Sequence, residues 1–421
     1  MLKQVFESDF GESYVKCEHE SGLKIYILEK PLYNSAYAIF GTKYGSIDNV
    51  FSVNGEQTEV PEGIAHFLEH KLFESEDGDA FTRYAETGAY ANAFTSFDKT
   101  CYLFSCSSRF YDNLEILLDF VQSPYFTAAT VQKEQGIIGQ EIRMYDDSPG
   151  WRVMFNMLLG MYKNHPVRID IAGTTDSIAE ITDELLYKCY NTFYNPQNMF
   201  LCIAGNVNTE KVLKMVEEHL KPKERFELCR IMPQEPDEVL KPVVAQQLEV
   251  ATPLFCFGYK EKADSMPSIK ERICTAVLLD IIAGDASPLY KRLTEDGLIN
   301  DEFSFEYFNG PGYASVIFEG ESQNPQMVAE AIKNEVNRLK EDGINKKLFN
   351  AVRSSLYGNA IRSFNSIESI TMGLVDCAMN DTDLFDEVKY LKSITADDVY
   401  KRLAVLENDK TVLSVILPKG E

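Results

Sequence analysis

Residues 60–73 carry the pattern that most constrains the fold: Val60-Pro61-Glu62-Gly63-Ile64-Ala65-His66-Phe67-Leu68-Glu69-His70-Lys71-Leu72-Phe73. At about 100° per residue, the side chains of His66, Glu69 and His70 lie on one side of a helix and the apolar ones on the other. The helix is predicted to begin at Pro61 and Glu62, because proline and a carboxylate both suit a helix N-terminus. The stretch therefore predicts an amphipathic helix whose polar face holds two histidines and a glutamate.

This polar face has the composition of a metal site. Two imidazoles one turn apart can bind one metal ion, and a carboxylate between them can reach water on that ion. The order HxxEH is the inverse of the commoner HExxH zinc helix. A solvated helix face that binds nothing explains the same five residues, so a third ligand elsewhere in the chain is needed to decide between the two interpretations.

The composition of the 421-residue chain is that of a globular protein, with 45% hydrophobic and 25% charged residues. Length alone predicts roughly two to three domains. No stretch approaches the roughly 18 consecutive apolar residues that a membrane helix needs. The formal charge of −24 argues against nucleic acid and an anionic membrane surface, and it is compatible with a cationic peptide. We therefore expect neither nucleic acid nor membrane among the partners.

The cysteines and the first residues predict a cytoplasmic location. The nine cysteines are scattered along the chain without CxxC spacing. This is typical of reduced thiols rather than of a disulfide framework or a sulfur-ligated metal site. The first ten residues, MLKQVFESDF, contain no apolar signal core, so export by the usual route is not expected.

The order of predicted elements repeats in two halves. Each half has β-branched and aromatic runs typical of paired strands, then a helix, further strands, several helices and a closing strand, at 199–205 and 411–417. The polar, proline-bearing run 226–243 between them predicts a linker. We therefore predict an α+β fold of two tandem homologous domains, 1–225 and 244–421, each a mostly antiparallel sheet flanked by helices.

A second predicted helix, at 128–145, carries candidates for the missing third ligand. Glu134 and Glu141 are seven residues apart and therefore lie together on a helical wheel, on its apolar side. The same side carries Ile137, Ile138, Met144 and Tyr145. A buried unpaired carboxylate costs several kcal/mol, so both glutamates should have a metal or another cation as partner. Buried salt bridges with lysine or arginine are the alternative to a metal.

Together these motifs resemble the insulinase/pitrilysin family of inverted-zincin metallopeptidases, which includes mitochondrial processing peptidase. The resemblance rests on HFLEH at 66–70 followed by the two glutamates, and it runs over most of the chain through NAFTS at 92–96, GT at 173–174 and YNPQNM at 194–199. The run 63–74 is especially similar to the zinc-bearing member of the family's paired bacterial peptidases. The chain matches the family's short members, in which one polypeptide forms half of a clamshell.

The resemblance implies a zinc site and a role for each motif residue. It makes His66, His70 and Glu141 the zinc ligands, and Glu69 the general base toward a zinc-bound water that attacks the scissile carbonyl of a peptide. It makes Glu134 the additional catalytic glutamate, which orients a histidine ring or that water without binding the metal.

The resemblance also assigns a substrate-binding edge strand, formed by Asn92, Ala93, Phe94 and Thr95. An edge strand offers unpaired N–H and C=O groups, so an extended peptide can add to it as a further strand. The Asn92 side chain would then hold the peptide near the bond that is cleaved.

The second half departs from the family pattern. Short members carry an Arg and a Tyr that grip the substrate backbone, in a stretch that corresponds to residues 287–300. The two positions are Thr294 and Asn300 in this chain. We therefore predict a heterodimer with a zinc-less paralogue that supplies this pair. A homodimer is the other possibility, and a shifted local geometry in which Tyr290 or Arg292 replaces the pair is a third interpretation.

The function that the resemblance implies is zinc-dependent endoproteolysis of short or unfolded peptides, as in peptide turnover or leader processing. Cleavage would take place in a chamber enclosed with a second chain. The alternative is a non-catalytic or regulatory zinc-binding subunit of a peptidase heterodimer, because the family contains subunits that no longer cut. The intact His66, Glu69, His70 and Glu141 favour the enzyme.

Overall fold

A computed structural model describes residues 2–76 and 78–419 of the chain. Its strands are β1 (Leu2–Glu7), β2 (Ser13–Glu18), β3 (Lys24–Glu29), β4 (Ala36–Thr42), β5 (Val50–Val53), β6 (Glu56–Glu59), β7 (Glu74–Ser75), β8 (Gly78–Asp79), β9 (Tyr90–Thr95), β10 (Thr100–Cys106), β11 (Met199–Gly205), β12 (Leu228–Arg230), β13 (Val243–Leu248), β14 (Leu254–Glu261), β15 (Ser304–Gly310), β16 (Tyr313–Glu321) and β17 (Thr411–Pro418).

Its α-helices are α1 (Ile64–Leu72), α2 (Ala80–Thr87), α3 (Phe110–Val121), α4 (Ala128–Asp146), α5 (Pro149–Met161), α6 (Thr175–Ala179), α7 (Asp183–Phe193), α8 (Thr209–His219), α9 (Ile269–Ala283), α10 (Pro288–Glu295), α11 (Pro325–Asp342), α12 (Lys346–Ser363), α13 (Ile367–Asn380), α14 (Asp386–Ser393) and α15 (Ala396–Lys401). Short 3₁₀ helices lie at Pro166–Arg168, Pro196–Asn198 and Arg402–Val405.

The chain forms two compact units that are not continuous in sequence. Unit 1 comprises Met1–Ile142, Asp170–Ile231 and Arg362–Phe385, and unit 2 comprises Arg143–Ile169, Met232–Ile361 and Asp386–Glu421. Each unit therefore takes one segment from the half of the chain that mainly builds the other. The boundaries expected from sequence, 1–225, 226–243 and 244–421, stay a prediction about the order of the repeats along the chain.

Unit 1 is built on a seven-stranded sheet of order β1-β2-β3-β11-β4-β10-β9. β3 and β11 pair in parallel, and the other neighbouring strands pair antiparallel. β4, β10 and β11 are buried along nearly their whole length, so both faces of the sheet are covered there. α3 packs on β4 and β10, and α13 packs on β3, β4 and β11.

Unit 2 repeats this topology in a five-stranded sheet of order β13-β17-β14-β16-β15. β13 and β17 pair in parallel and the remaining neighbours antiparallel, as in the series β3-β11-β4-β10-β9. α5 packs on β13, β14 and β17. A Cβ atom at Gly160 would lie 2.9 Å from side-chain atoms of both Val244 and Val412, so glycine lets α5 approach this sheet closely. The α+β fold of two homologous units, each with helices on a mostly antiparallel sheet, is confirmed.

The run predicted as a linker contains groups that are bound to the sheets. Arg230, in β12, pairs with the buried Asp48 at 2.9 Å within unit 1. Glu235 accepts hydrogen bonds from three successive backbone N–H groups, at 163–165, and from Lys260 Nζ at 2.7 Å within unit 2. Backbone pairing of β12 with β5 and these charge-assisted hydrogen bonds together hold the polar run to the fold.

One helical segment, Ile269–Glu295, is long and apolar enough by length and composition to cross a membrane. Two thirds of its most apolar window, 67%, is buried inside the fold, and nine residues of α9 lie in the core of unit 2. A core helix passes the same test of length and hydropathy, so the segment is weak support for a membrane span.

Candidate metal centre

α1 begins three residues later than the sequence predicts. Gly63 precedes it with a left-handed φ of 86°, and a Cβ atom there would collide with the carbonyl oxygen of Ala172. The hydroxyl of Ser177 donates to the carbonyl of Glu62 at 3.0 Å. Pro61 and Glu62 therefore lie before the helix, and the expected helix start at these residues is wrong. A tertiary contact, rather than a local N-terminal signal, sets where α1 begins.

The two faces of α1 separate as the sequence predicts. Its apolar residues Ile64, Phe67, Leu68 and Leu72 are buried. His66 is 8% exposed, whereas His70 and Glu69 are half-buried. The two imidazole rings lie edge to face, with their centroids 4.6 Å apart and their planes inclined by 62°, so α1 places two ring nitrogens on one side of the helix.

α4 brings both glutamates to these histidines, although its buried face differs from the predicted one. Glu134 is buried and Glu141 half-buried. Ile137 and Met144 are 46% and 60% exposed, so their predicted place on the core side is wrong. The buried arc is centred instead on Val131, Ile138, Gly139 and Ile142. The glutamates lie at its margin, where they can reach a polar site without entering the apolar core.

Three side chains converge at this margin. Nε2 of His66 lies 3.8 Å from Oε1 of Glu141, and Nε2 of His70 lies 3.5 Å from Oε2 of the same carboxylate. One ligand atom from each of the three lies within 4.8 Å of the others. Two imidazole nitrogens and one carboxylate oxygen are a donor set of catalytic zinc sites, which keep a fourth position open. The residues present therefore fit a zinc ion.

Glu134 holds the ring of His70 from its other side. Its Oε1 lies 3.0 Å from Nδ1 of His70. Burial acts to raise the pKa of Glu134, but the hydrogen bond and charge of His70 outweigh it and lower the pKa. An ionised carboxylate can only accept, so Nδ1 of His70 is the donor, which leaves Nε2 as the ring nitrogen that would bind a metal. This is the contact expected of a glutamate that orients a ligand.

Burial is the main influence on the pKa of His66. It lowers the pKa of this imidazole to about 3, with a smaller contribution from neighbouring His70. The ring is therefore neutral at pH 7 and able to bind a metal. In the described part of the chain, its buried Nδ1 has no hydrogen-bond partner. For His70, burial lowers the pKa, and the hydrogen bond that its Nδ1 donates to Glu134, together with the charges of Glu69 and Glu141, raises it by more.

Glu69 lies on the same side of α1 and contacts the neighbouring strand. Its Oε2 accepts a hydrogen bond of 2.6 Å from the hydroxyl of Thr95. Burial raises the pKa of Glu69, and the hydroxyl and backbone N–H of Thr95 partly oppose that rise. The sequence placed Thr95 on the substrate strand but gave no sign of this contact, because nothing in residue spacing relates 95 to 69.

The predicted substrate strand is β9, an edge strand that pairs with β10. Asn92 is exposed, and its Oδ1 accepts a hydrogen bond of 2.9 Å from the N–H of Ala93. Ala93, Phe94 and Thr95 are half-buried. Asn92 therefore covers a backbone donor on the strand to which a peptide would add.

An ion pair directly after the second histidine was not predicted. Lys71, directly after His70, is fully buried and donates to Glu74. Its charge contributes to the lowered pKa of Glu134. The i,i+3 spacing of a lysine and a glutamate was the signal available in the sequence.

In unit 2, the two positions at which the resemblance expects Arg and Tyr carry no such side chains. Thr294 is exposed on α10. Asn300 donates from Nδ2 to Oε2 of Glu321 at 3.0 Å. Arg292 is also exposed, in the last turn of α10.

The fold is a duplicated α+β unit, and in one of the two units two imidazoles and a carboxylate converge. These features are those of a class of proteins with a three-ligand metal site. Comparison with known sequences gives the family. Residues 54–175 match the model of insulinase (peptidase family M16), and residues 180–356 match that of the peptidase M16 inactive domain. The chain is 41% identical to an uncharacterized zinc protease of Bacillus subtilis, YmfH, over 100% of both chains. The chain belongs to the insulinase family.

Solved structures show the same fold. An M16-like peptidase from Alicyclobacillus acidocaldarius superposes with a TM-score of 0.94 at 34% identity, over 98% of this chain and 100% of that one. Pitrilysin superposes with a TM-score of 0.76 at 17% identity, over 99% of this chain and 46% of its own length. The predicted resemblance to the insulinase/pitrilysin family is therefore confirmed.

Proposed function

We propose that the chain is a zinc-dependent endopeptidase that cleaves short or unfolded peptides. The observation that carries the proposal is the convergence of His66, His70 and Glu141 beside Glu69. Relatives named zinc proteases support it. His66 Nε2, His70 Nε2 and a carboxylate oxygen of Glu141 would hold the zinc. When bound, zinc polarises a carbonyl oxygen and lowers the pKa of water.

The chain's own groups account for the proton transfers. The carboxylate of Glu69 takes a proton from the attacking water and later delivers that proton to the leaving amine. Its raised pKa suits this double role, because a base must also release the proton. Glu134 keeps the His70 ring in one orientation through Nδ1, and β9 offers backbone groups along which an extended peptide can lie.

The substrate-gripping pair belongs to a second chain in this proposal. Thr294 and Asn300 stand at the two positions, and Asn300 is engaged with Glu321. A zinc-less member of the same family that carries Arg and Tyr would complete the site and enclose a peptide-sized chamber, and a homodimer is the other assembly to test. We also propose a cytoplasmic location, which the scattered spacing of the nine cysteines supports because it is typical of reduced thiols.

The test is Glu69→Gln in the purified chain, assayed with and without the zinc-less relative. We expect zinc to be retained and chelator-sensitive cleavage of a short quenched peptide to fall by at least about a hundredfold, since a general base contributes about 10²–10⁴ in rate. Glu59→Gln, at an exposed residue of β6, is the matched control. Zinc binding without any cleavage by the wild type, alone or paired, would favour the regulatory subunit instead.

A further inference from the structure

We infer that Thr95 is a positioning residue for Glu69, an inference that rests on the function proposed above. Its hydroxyl lies 2.6 Å from Oε2 of that carboxylate. An ionised carboxylate has no proton to give, so the hydroxyl must donate. O–H···O⁻ bonds of this length are among the stronger hydrogen bonds in proteins. The hydroxyl therefore holds Oε2 of Glu69, and the backbone N–H of Thr95 also faces this carboxylate.

The strand behind Thr95 fixes the position of this hydroxyl. Thr95 pairs with Thr100 across the β9–β10 hairpin, and their hydroxyl oxygens lie 3.4 Å apart. Thr100 gives its own proton to the carbonyl of Tyr44 at 2.9 Å. Because the proton of Thr100 is engaged there, Thr100 does not donate to Thr95. The proton of Thr95 goes to Glu69, whose oxygen is nearer, at 2.6 Å, than that of Thr100, at 3.4 Å.

Thr95 also lies at the open edge of the sheet. The N–H of Ser96 bonds to the carbonyl of Lys99 at 2.8 Å and closes the hairpin. Hydrogen-bonded and non-bonded pairs alternate along an antiparallel ladder, so the backbone groups of Thr95 and of Ala93 point away from β10. A peptide that adds to β9 would bond to outward groups of this strand and would displace Asn92 Oδ1 from the N–H of Ala93. The N–H of Thr95 itself faces the Glu69 carboxylate. Thr95 therefore contacts the base Glu69 and also lies on the strand to which a substrate would add.

This arrangement predicts a separation of rate from affinity. Replacing the hydroxyl by a methyl group leaves the backbone of β9 intact, so peptide binding persists. The Glu69 carboxylate loses its fixed partner and can rotate, and misplacing a catalytic group by about 1 Å can cost about a hundredfold in rate. The effect should therefore fall on kcat and leave KM nearly unchanged.

The experiment compares Thr95→Val, Thr95→Ser and Thr58→Val with the wild type, each zinc-loaded and, where the wild type needs it, combined with the zinc-less relative. Thr58 is a half-buried strand residue of β6 and controls for a generic loss of a strand hydroxyl. For Thr95→Val we expect kcat to fall about ten- to a hundredfold with KM within about twofold. Zinc content should not change, and Thr95→Ser should stay within about threefold because it keeps the hydroxyl.

Several outcomes would overturn the inference. These are an unchanged kcat in Thr95→Val, equal losses in Thr95→Ser and Thr95→Val, or a rise in KM at constant kcat. Crystal structures of the wild type and Thr95→Val give a readout that does not depend on cleavage. If the wild type cleaves nothing, the proposed function fails, while a reoriented Glu69 carboxylate in Thr95→Val still supports the positioning role and an unmoved one refutes it.

Discussion

Units 1 and 2 share one topology but differ in the groups that neutralise their carboxylates. The strand series β3-β11-β4-β10-β9 of unit 1 corresponds to β13-β17-β14-β16-β15 of unit 2. A helix packs against the edge strand in each, α1 on β9 and α9 on β15. α1 carries two histidines and a glutamate on its polar face, whereas α9 carries no histidine and is mostly buried. The scaffold is therefore separable from the site.

The charges around α9 are neutralised by the protein itself. Arg402 contacts Glu261 at 2.6 Å and donates from Nε to the hydroxyl of Thr275, on α9, at 2.8 Å. Tyr307, on β15, donates to the same Glu261 at 2.7 Å. In unit 1, the carboxylates of Glu134 and Glu141 meet two imidazoles instead, and one of these is kept neutral by burial. In unit 2, the guanidinium of Arg402 neutralises the carboxylate of Glu261. In unit 1, the site leaves room for a cation from solution.

The largest expected effect comes from removing a ligand in unit 1. His70→Ala or Glu141→Ala should reduce zinc from about one to below about 0.1 per chain, because a two-ligand site binds far more weakly than a three-ligand one. Metal analysis after dialysis measures this, with His219→Ala, a half-buried histidine in the last turn of α8, as the control. Full zinc content in both ligand variants would show that the two units do not differ in the way described.

The next largest effect should follow from breaking the network of unit 2. Arg402→Met leaves Glu261 as a buried charge without its cation, which typically costs about 3–5 kcal/mol of unfolding free energy. Trp151 is the single tryptophan of the chain and belongs to unit 2, so its fluorescence during urea denaturation reports this unit. Zinc content should be unchanged.

Two variants bound this prediction about unit 2. Lys401→Met removes an ion pair in which both side chains are mostly exposed, and it should leave the urea midpoint of unfolding nearly unchanged. The double variant Glu261→Gln/Arg402→Met should recover part of the loss, because the uncompensated charge is gone. A single variant as stable as the wild type would mean that the ion pair makes no net contribution.

A smaller effect is expected when the orienting glutamate is altered but the ligands stay. Glu134→Gln keeps the shape of the side chain and can still accept a hydrogen bond from Nδ1 of His70, but without a charge. Loss of such an outer partner typically weakens metal affinity by about 10–100-fold. Competition with a chromophoric chelator measures it. An affinity equal to that of the wild type would limit Glu134 to a role in packing.

The sequence predicted those elements whose signals are local. The closing strands 199–205 and 411–417 and the helix at 128–145 agree with β11, β17 and α4 to within a residue, because each is a long apolar or periodic run with clear ends. It missed β1, whose side chains are mostly exposed, and α13. Neither the edge position of β1 nor the packing of α13 on the sheet of unit 1 has a signal in the neighbouring residues.

The same division holds for the candidate site. The convergence of His66, His70 and Glu141 followed from two helical patterns and a family resemblance. The bond between Thr95 and Glu69 could not be predicted, because the register of a hairpin decides it. The exposed Ile137 shows the limit of a helical wheel, since the wheel gives relative directions but not which arc faces the core.

The smallest predicted effect concerns Lys43, a half-buried lysine of unit 1. Burial lowers the pKa of Lys43 to about 8, and Lys24 and Arg230 add to this, while Asp381 opposes it. Between about pH 8 and its ordinary value of 10.5, the unfolded chain binds more protons at this site. The contribution of Lys43 to stability therefore rises with pH across that window, and at pH 7 it is a net cost.

Lys43→Met should stabilise unit 1 by about 1 kcal/mol at pH 7, less than the full shift because the side chain is only half-buried. The difference from the wild type should shrink as the pH approaches 10, measured by urea denaturation followed by far-UV circular dichroism. A difference that is independent of pH would mean that the ammonium of Lys43, which donates to the carbonyl of Met379 at 3.2 Å, is as well solvated in the fold as in the unfolded chain.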